Sequence, residues 1–310
     1  MGINMDFKTD MSVNVGGIRM KNPVMVASGT FGYGPEYADL VDINMLGAMV
    51  VKGISLEPWD GNDAPRMVEV EGALINAIGL QNPGVEGFVR EYMPFLRKFD
   101  TPVIVNIWGR DITGYAEVAQ RLNDVEGVSG LEVNVSCPNI KEGGIAFGTD
   151  PRLLGEVISA VRKATKLPVI PKLSPNVADI SIFARVAEES GADAISLINT
   201  IPAMVIDIET RRPVLANVTG GLSGPALRPV AVKLVHQASK VVKIPVIGMG
   251  GITNTSDALE FMIAGATAVA VGTANFKNPL TAIEIAEGIR EYLVKHNIPA
   301  ARDIVGTVKM

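Results

Sequence analysis

The chain has few residues of the kinds that build disulfides, iron–sulfur clusters and zinc sites. Its 310 residues include a single cysteine, Cys137, and two histidines, His236 and His296. One thiol forms no internal disulfide, as is typical of cytoplasmic proteins, and it cannot hold an iron–sulfur cluster, which typically takes four thiolates. Two histidines are too few for most zinc sites. We therefore expect a cytoplasmic chain without a metal centre.

An excess of basic charge and long hydrophobic runs are also missing. Lysine and arginine number 28 against 33 aspartates and glutamates, which gives a net charge of −5. No basic stripe is available to neutralise phosphates, so nucleic acid is not an expected partner. No apolar run approaches the ~18 residues that span a bilayer, and the opening MGINMDFKTD lacks the regions of a signal peptide. We expect no membrane segment.

What the chain does contain is a regular alternation of short apolar runs with segments of helical periodicity. Hydrophobic residues make up 47% of it, enough for a large core. The runs predict buried parallel strands at Val24–Ala27, Ala48–Lys52, Val103–Ile107, Leu131–Val135, Val169–Lys172, Ala194–Asn199, Val246–Gly248 and Ala268–Val271. The intervening helices are predicted at Pro35–Val41, Val85–Lys98, Thr113–Leu122, Pro151–Thr165, Val177–Ser190, Pro225–Val242, Thr253–Ala264 and Leu280–His296.

Eight strand–helix units are the number in a (β/α)8 TIM barrel, an α/β fold. A doubly wound open sheet is the alternative, but it usually carries a dinucleotide fingerprint and none occurs here. We expect one barrel domain over residues 1–310. Extra hairpins are predicted at the N-terminus, after strand two and after strand six, at Ser12–Met20, at Met67–Val70 with Ala73–Ile78, and at Val205–Ile208 with Val214–Val218.

Polar side chains lie at or next to the carboxyl end of five of the predicted strands, where apolar residues would be expected. They are Lys52, Asn106, Asn134, Lys172 and Asn199. In a barrel the carboxyl ends of the strands meet on one face, where active sites are built. Lysines supply cationic donors, and asparagine amides both donate and accept. The set favours a planar ligand with carbonyl and N–H groups.

Glycine clusters follow strands seven and eight. Gly248–Ile252 and Val271–Ala274 hold them, and in barrels these two loops commonly bind phosphate through backbone N–H groups and a helix N-terminus. The ligand is therefore expected to carry a phosphate, as FMN, a phosphosugar or another phosphorylated substrate does. Cys137 leaves strand four on a glycine-rich loop at the same face, and neither histidine ends a strand, so Cys137 and the lysines are the available bases.

Together these residues resemble the dihydroorotate dehydrogenases of class 1, most closely the class 1B catalytic subunits, from about Ser12 to the last helix. The matching motifs are Asn22-Pro23 with Ala27–Thr30, Lys52-Gly53, Asn76–Asn82, Asn134–Asn139, Lys172–Pro175, Ile198–Thr200, Gly220–Pro225 and Gly250–Ile252. The resemblance implies an FMN-containing barrel that oxidises (S)-dihydroorotate to orotate in pyrimidine biosynthesis.

The resemblance also implies a role for each matching residue. Cys137 would be the general base at C5 of the substrate, and the hydride from C6 would pass to the flavin. The substrate would be held by Lys52, Asn76, Ala77, Ile78, Gly79, Leu80, Asn134, Asn199 and Thr200. FMN would be bound by Ser28, Lys52, Gly53, Asn106, Asn134, Lys172, Ile198, Gly224, Gly250, Gly251, Gly272 and Thr273.

The subclass follows from further features of the same resemblance. Class 2 members use serine as the base and carry an N-terminal membrane segment, whereas this chain has Cys137. Class 1B members pass electrons to NAD through a second subunit that holds FAD and a [2Fe-2S] cluster, in a heterotetramer around a catalytic homodimer. The alternatives are a class 1A enzyme that uses fumarate, a lyase or isomerase forming a Schiff base with a phosphosugar, and a subunit that binds FMN without catalysis.

Overall fold

A computed structural model of the chain describes residues 9–136 and 147–309. Within them, eight parallel strands close into a barrel in chain order, and the last strand pairs with the first. Barrel strands one to eight are Val24–Val26, Ala48–Ile54, Val103–Ile107, Val128–Asn134, Val169–Lys172, Ile195–Leu197, Val246–Met249 and Ala268–Val271. The predicted barrel is confirmed, and the open-sheet alternative is wrong.

Helices surround the barrel. The α-helices in the described parts of the chain are Gly84–Glu91, Met93–Leu96, Ile112–Leu122, Pro151–Ala164, Ile180–Glu189, Arg228–Ser239, Thr255–Ala264, Ala274–Lys277 and Thr281–Lys295. Several begin where an Asp or Asn side chain accepts a hydrogen bond from a backbone N–H of the first turn, as Asp111 does from Gly114 at 2.7 Å. None of the described helices is both long and apolar enough to cross a bilayer.

The predicted helix at Pro35–Val41 is wrong. The chain between barrel strands one and two forms two single turns of 3-10 helix, Pro35–Tyr37 and Ile43–Met45. Asp42 interrupts the segment, because its side chain accepts a hydrogen bond from the backbone N–H of Asn44 and starts the second turn.

The predicted helix at Val85–Lys98 is broken at Tyr92. Gly84–Glu91 ends there, and a second short helix, Met93–Leu96, begins. Pro94 explains the break, since it has no N–H to donate to the carbonyl four residues earlier and its ring clashes with that carbonyl.

The N-terminal hairpin closes one end of the barrel, as expected. Its strands, Val13–Val15 and Ile18–Met20, turn at Gly16 and Gly17, which have φ of 59° and 97°. The side chain of Ile18 lies against Gly130 at the start of barrel strand four, where an added Cβ would come within 2.7 Å of it. The hairpin therefore covers the amino ends of the strands, opposite the polar ring.

The insertions after barrel strands two and six form one four-stranded antiparallel sheet. Its strands, in spatial order, are Ile201–Ala203, Gly220–Ser223, Ala73–Asn76 and Met67–Val70. The hairpin after strand two is confirmed. The third hairpin is present with shorter strands, Ile206–Asp207 and Arg212–Pro213. Its turn lies at residues 208–211 rather than around Arg211–Pro213 as expected. The expected strand at Val214–Val218 is wrong, and the paired strand in that region is Gly220–Ser223 instead.

Candidate active site

A buried polar network crosses the interior of the barrel on strands three to six. Glu132 lies at its centre: one carboxylate oxygen accepts a hydrogen bond from Asn106 Nδ2 at 2.7 Å, and the other accepts one from Ser196 Oγ at 2.9 Å. The same carboxylate pairs with Lys172 Nζ at 3.6 Å. Lys172 also donates to Ser28 Oγ, just beyond barrel strand one, at 3.1 Å. The network therefore brings together residues from four strands and from the loop that follows strand one.

The charges of this network are almost fully removed from solvent. The side chains of Lys172 and Glu132 are 8% and 2% exposed. Burial of a lone charge costs several kcal/mol, so each of these ions depends on its partner. The pairing follows from strand register, which sets Asn106 beside Glu132 and Lys172 beside Ser196.

A second group of amides lies at the carboxyl end of strand four. Asn199 Nδ2 donates to Asn134 Oδ1 at 3.2 Å, and the same oxygen accepts a hydrogen bond from the backbone N–H of Ser136. Ser136 Oγ donates to the carbonyl of Lys172 at 3.3 Å. Asn134 thus joins the ends of strands four, five and six, as the polar ring predicts. Strand six ends at Leu197, so Asn199 lies two residues beyond it rather than inside it.

Cys137 lies outside the described residues. The chain on either side of 137–146 is fixed at this end of the barrel: Ser136 is bonded to Asn134, and the Phe147 ring packs edge-on against Tyr115 with centroids 5.7 Å apart. The Tyr115 hydroxyl in turn donates to the carbonyl of Asn134 at 2.7 Å.

Lys52 is inside barrel strand two rather than at its end, because that strand continues to Ile54. Its side chain is half-buried. Desolvation lowers the pKa of Lys52, the nearby Arg66 lowers it further, and Glu36 opposes the change. The next residue, Gly53, packs against Asn106: an added Cβ would lie 2.8 Å from Asn106 Oδ1.

The predicted substrate residues Asn76 to Leu80 follow a strand of the four-stranded sheet. Asn76 Nδ2 donates to the carbonyl of Gly221 at 3.3 Å. Asn62 holds the following loop, since its side chain donates to the carbonyl of Ala77 and its backbone to that of Ile78. Gly79 has φ of 74° and leaves no room for a side chain beside Asn62. Thr200 packs against Gly221, so the two insertions converge on the same end of the barrel.

The glycines after barrel strands seven and eight differ in their surroundings. Gly251 has φ of 78°, and an added Cβ would lie 2.8 Å from both the backbone nitrogen of Arg228 and the carbonyl of Gly224. This contact sets Gly251 against the start of helix Arg228–Ser239. Gly272 is more open, with its nearest neighbour 3.9 Å from an added Cβ. No described residue accepts a hydrogen bond from the backbone N–H of Gly251, Gly272 or Thr273.

The remaining predicted residue, Ile198, connects these loops to the polar ring. Its backbone N–H donates to the carbonyl of Met249 at 3.0 Å, and its side chain would lie 3.3 Å from a Cβ at Gly250. Arg228 is held by Asp257, which is 1% exposed and also accepts two hydrogen bonds from Thr253. The glycine loop and the helix start are thereby held together.

Glu132 and Ser196 are the members of the network that the sequence pattern did not identify. Both lie inside strands rather than at their ends. The available signal is a period of two: Glu132 is two residues before Asn134 in an otherwise apolar strand, and so points to the same face.

The closed barrel, with its polar ring and glycine loops at the carboxyl ends of the strands, defines the (β/α)8 class of enzymes. A profile of the family described as "Dihydroorotate dehydrogenase" matches residues 10–293. The chain belongs to this family. That membership makes it an oxidoreductase and implies a flavin, which decides against the Schiff-base lyase.

Three curated relatives carry the name "Dihydroorotate dehydrogenase B (NAD(+)), catalytic subunit". The protein of Geobacter sp. (strain M21) is 55% identical over 303 residues, 98% of this chain and 99% of its own. That of Pelobacter propionicus is 55% identical over 302 residues, 97% of this chain and 99% of its own. That of Thermoanaerobacter pseudethanolicus is 53% identical over 301 residues, with the same coverage. The term "catalytic subunit" in that name implies a partner subunit in those proteins.

The residues present fit a flavin mononucleotide. An added Cβ at Gly29, just after barrel strand one, meets nothing within 4 Å, so the backbone there has space beside it. Free N–H groups at Gly251, Gly272 and Thr273 suit a phosphate. Lys172, Asn134 and Asn199 supply the mixture of cationic donors and amides that a planar heterocycle requires.

Proposed function

We propose that this chain is the FMN-containing catalytic subunit of an NAD-linked dihydroorotate dehydrogenase, which oxidises (S)-dihydroorotate to orotate in pyrimidine biosynthesis. The observation that carries the proposal is the buried network in the barrel interior, Lys172 with Ser28, Asn106 and Glu132, next to the amides Asn134 and Asn199. Family membership and relatives 53–55% identical over nearly the whole chain support it.

In this proposal the cofactor would be held by residues at the carboxyl end of the barrel. Its phosphate would be bound through the backbone N–H groups of Gly224, Gly250, Gly251, Gly272 and Thr273, and the start of helix Arg228–Ser239 would add the positive end of its dipole. Its ring and ribityl chain would be held by Ser28, Lys52, Gly53, Asn106, Asn134, Lys172 and Ile198. The chemistry that FMN would supply there, when bound, is acceptance of the hydride from C6 of dihydroorotate.

The chain's own residues bind the substrate and remove a proton. Lys52 pairs with the substrate carboxylate, and the amides of Asn76, Asn134 and Asn199 bind the pyrimidine edges together with Thr200 and the backbone of 77–80. Cys137 takes the proton from C5 as its thiolate, while the hydride leaves C6 with its electron pair. The two losses create the C5–C6 double bond of orotate.

Electrons must then leave through a partner. The sequence has a single cysteine and no dinucleotide fingerprint, so we place the FAD and the [2Fe-2S] cluster in a second subunit, in a heterotetramer around a homodimer of this chain. The same cysteine count supports our proposal that the protein acts in the cytoplasm.

The choice of electron acceptor tests this proposal. We expect the purified, FMN-loaded chain to oxidise dihydroorotate with an artificial dye as acceptor. NAD should serve only after a partner subunit is added, and fumarate should not serve at all. Turnover with fumarate alone would contradict the NAD-linked assignment and favour a class 1A enzyme. No oxidation with any acceptor would contradict the proposed function itself.

A further inference from the structure

Glu132 is a buried ion to which neither the sequence pattern nor the proposed chemistry gives a role. It is 1% exposed and sits in the interior of the barrel, on strand four. Its carboxylate contacts three side chains: Asn106 Nδ2 at 2.7 Å, Ser196 Oγ at 2.9 Å and Lys172 Nζ at 3.6 Å. A buried charge in this position costs free energy unless an opposite charge and hydrogen bonds offset that cost.

We propose that Glu132 is a positioning residue: it holds the ammonium of Lys172, offsets its charge, and so sets the reduction potential of the flavin. The inference rests on the proposed function, because it requires a flavin bound beside Lys172. Lys172 also donates a hydrogen bond to Ser28 Oγ, just beyond strand one, so its ammonium is held from two sides.

The sign of the effect follows from the charges. An ammonium beside the flavin favours the reduced form, which carries more negative charge, and a carboxylate behind the ammonium weakens that preference. In the wild-type network the two charges oppose each other in a nearly solvent-free interior. Removal of the carboxylate charge leaves the ammonium unopposed and raises the midpoint potential.

Glu132→Gln isolates this charge with little change in hydrogen bonding. The glutamine carbonyl can still accept from Asn106, and its NH2 group can donate to Ser196 Oγ, because a hydroxyl both donates and accepts. Glu132→Asp keeps the charge but withdraws it from Lys172 by one methylene. Ser196→Ala removes a hydrogen bond to the carboxylate and keeps both charges, which makes it the matched control.

The experiment is an equilibrium redox titration of the FMN-loaded proteins with reference dyes and no substrate. We expect Glu132→Gln to shift the balance between oxidised and reduced flavin at least tenfold toward reduced, about 30 mV for a two-electron couple. Glu132→Asp should lie between wild type and Glu132→Gln, and Ser196→Ala within about twofold of wild type.

A merely structural role for Glu132 would weaken FMN binding or lower the melting temperature without moving the potential of the bound flavin. An unchanged or lower potential in FMN-loaded Glu132→Gln overturns the inference. If Glu132→Gln is recovered without flavin, the potential of Glu132→Asp is compared with wild type instead, and an unchanged or lower value there overturns the inference. Failure of the proposed function is distinct, since wild type would then bind no FMN or would not be reduced by dihydroorotate.

Discussion

Lys52 carries its charge where the surrounding protein does little to stabilise it. Burial and Arg66 lower its pKa, and only Glu36 acts in the opposite direction. No described carboxylate forms an ion pair with its ammonium. A half-buried cation without a partner is typical of a group whose counter-ion is a ligand, and the carboxylate of dihydroorotate supplies that charge in the proposed function.

We predict that Lys52→Met weakens catalysis and stabilises the fold. A hydrogen bond to a charged group contributes about 1.5–3 kcal/mol, so kcat/KM for dihydroorotate should fall about 10- to 150-fold. The melting temperature at neutral pH should rise, because a desolvated charge is removed. Lys233→Met, at an exposed position of helix Arg228–Ser239, is the control and should change neither quantity.

The lowered pKa of Lys52 also determines how the stability of the fold changes with pH. The pKa of Lys52 is lower in the folded than in the unfolded protein, so between these two values the unfolded chain binds more protons and stability rises with pH. The stability advantage of Lys52→Met should therefore shrink as pH rises through that window. A stability advantage of Lys52→Met that grows with pH would contradict this interpretation. So would a wild-type affinity for dihydroorotate that stays constant up to the ordinary pKa of lysine.

Polar strand ends could be predicted at the level of single residues because they interrupt apolar runs. Lys52, Asn106, Asn134, Lys172 and Asn199 were found in this way, and the structure brings four of them into two connected networks. The strand-end pattern does not identify Glu132, because this residue lies inside strand four. The three side chains that contact Glu132 come from three other strands. These contacts form only when the barrel closes, so they cannot be predicted from one strand's sequence.

At the scale of elements, strand positions were predicted closely and helix bounds less well. Parallel strands buried on both faces are nearly continuous apolar runs, which the sequence displays directly. The helix expected at Pro35–Val41 failed because a short segment with Pro35 and Asp42 favours separate turns. The joint four-stranded sheet could not be predicted, since it pairs Asn76 with Gly221 across 145 residues of chain.

Gly221, in the joint four-stranded sheet, has no room for a side chain beside Thr200. An added Cβ there would lie 2.1 Å from Thr200 Oγ1, so Gly221→Ala must displace Thr200 or separate the two insertions. We expect a stability loss of about 1–3 kcal/mol from overpacking. The KM for dihydroorotate should rise about tenfold or more, as expected for a loss of roughly 1.4 kcal/mol of substrate binding.

Gly114→Ala is the matched control for this substitution. Gly114 is in helix Ile112–Leu122, and its nearest neighbour would be 3.5 Å from an added Cβ, an ordinary contact. KM should be unchanged in Gly114→Ala and FMN affinity unchanged in both variants. An unaltered KM in Gly221→Ala would show that the joint sheet does not position the substrate residues.

At the scale of the whole molecule, the site is a consequence of barrel closure. Four barrel strands contribute Asn106, Glu132, Lys172 and Ser196, and the loop after strand one contributes Ser28. Lys172 and Ser28 are 144 residues apart in the sequence. The N-terminal hairpin covers the opposite end, so the polar face at the carboxyl ends remains the accessible one. Closure thus converts scattered polar residues into one site with buried charges.

The most direct test of the account is an anaerobic visible spectrum of the FMN-loaded chain before and after one equivalent of dihydroorotate, with Cys137→Ala alongside. We predict that the flavin absorption of wild type bleaches and that orotate forms in equal amount. Cys137→Ala should keep its flavin and bleach about 10²–10⁴-fold more slowly, the usual size of a general-base contribution. A flavin spectrum that dihydroorotate leaves unchanged, or equal rates in the two proteins, would contradict the account.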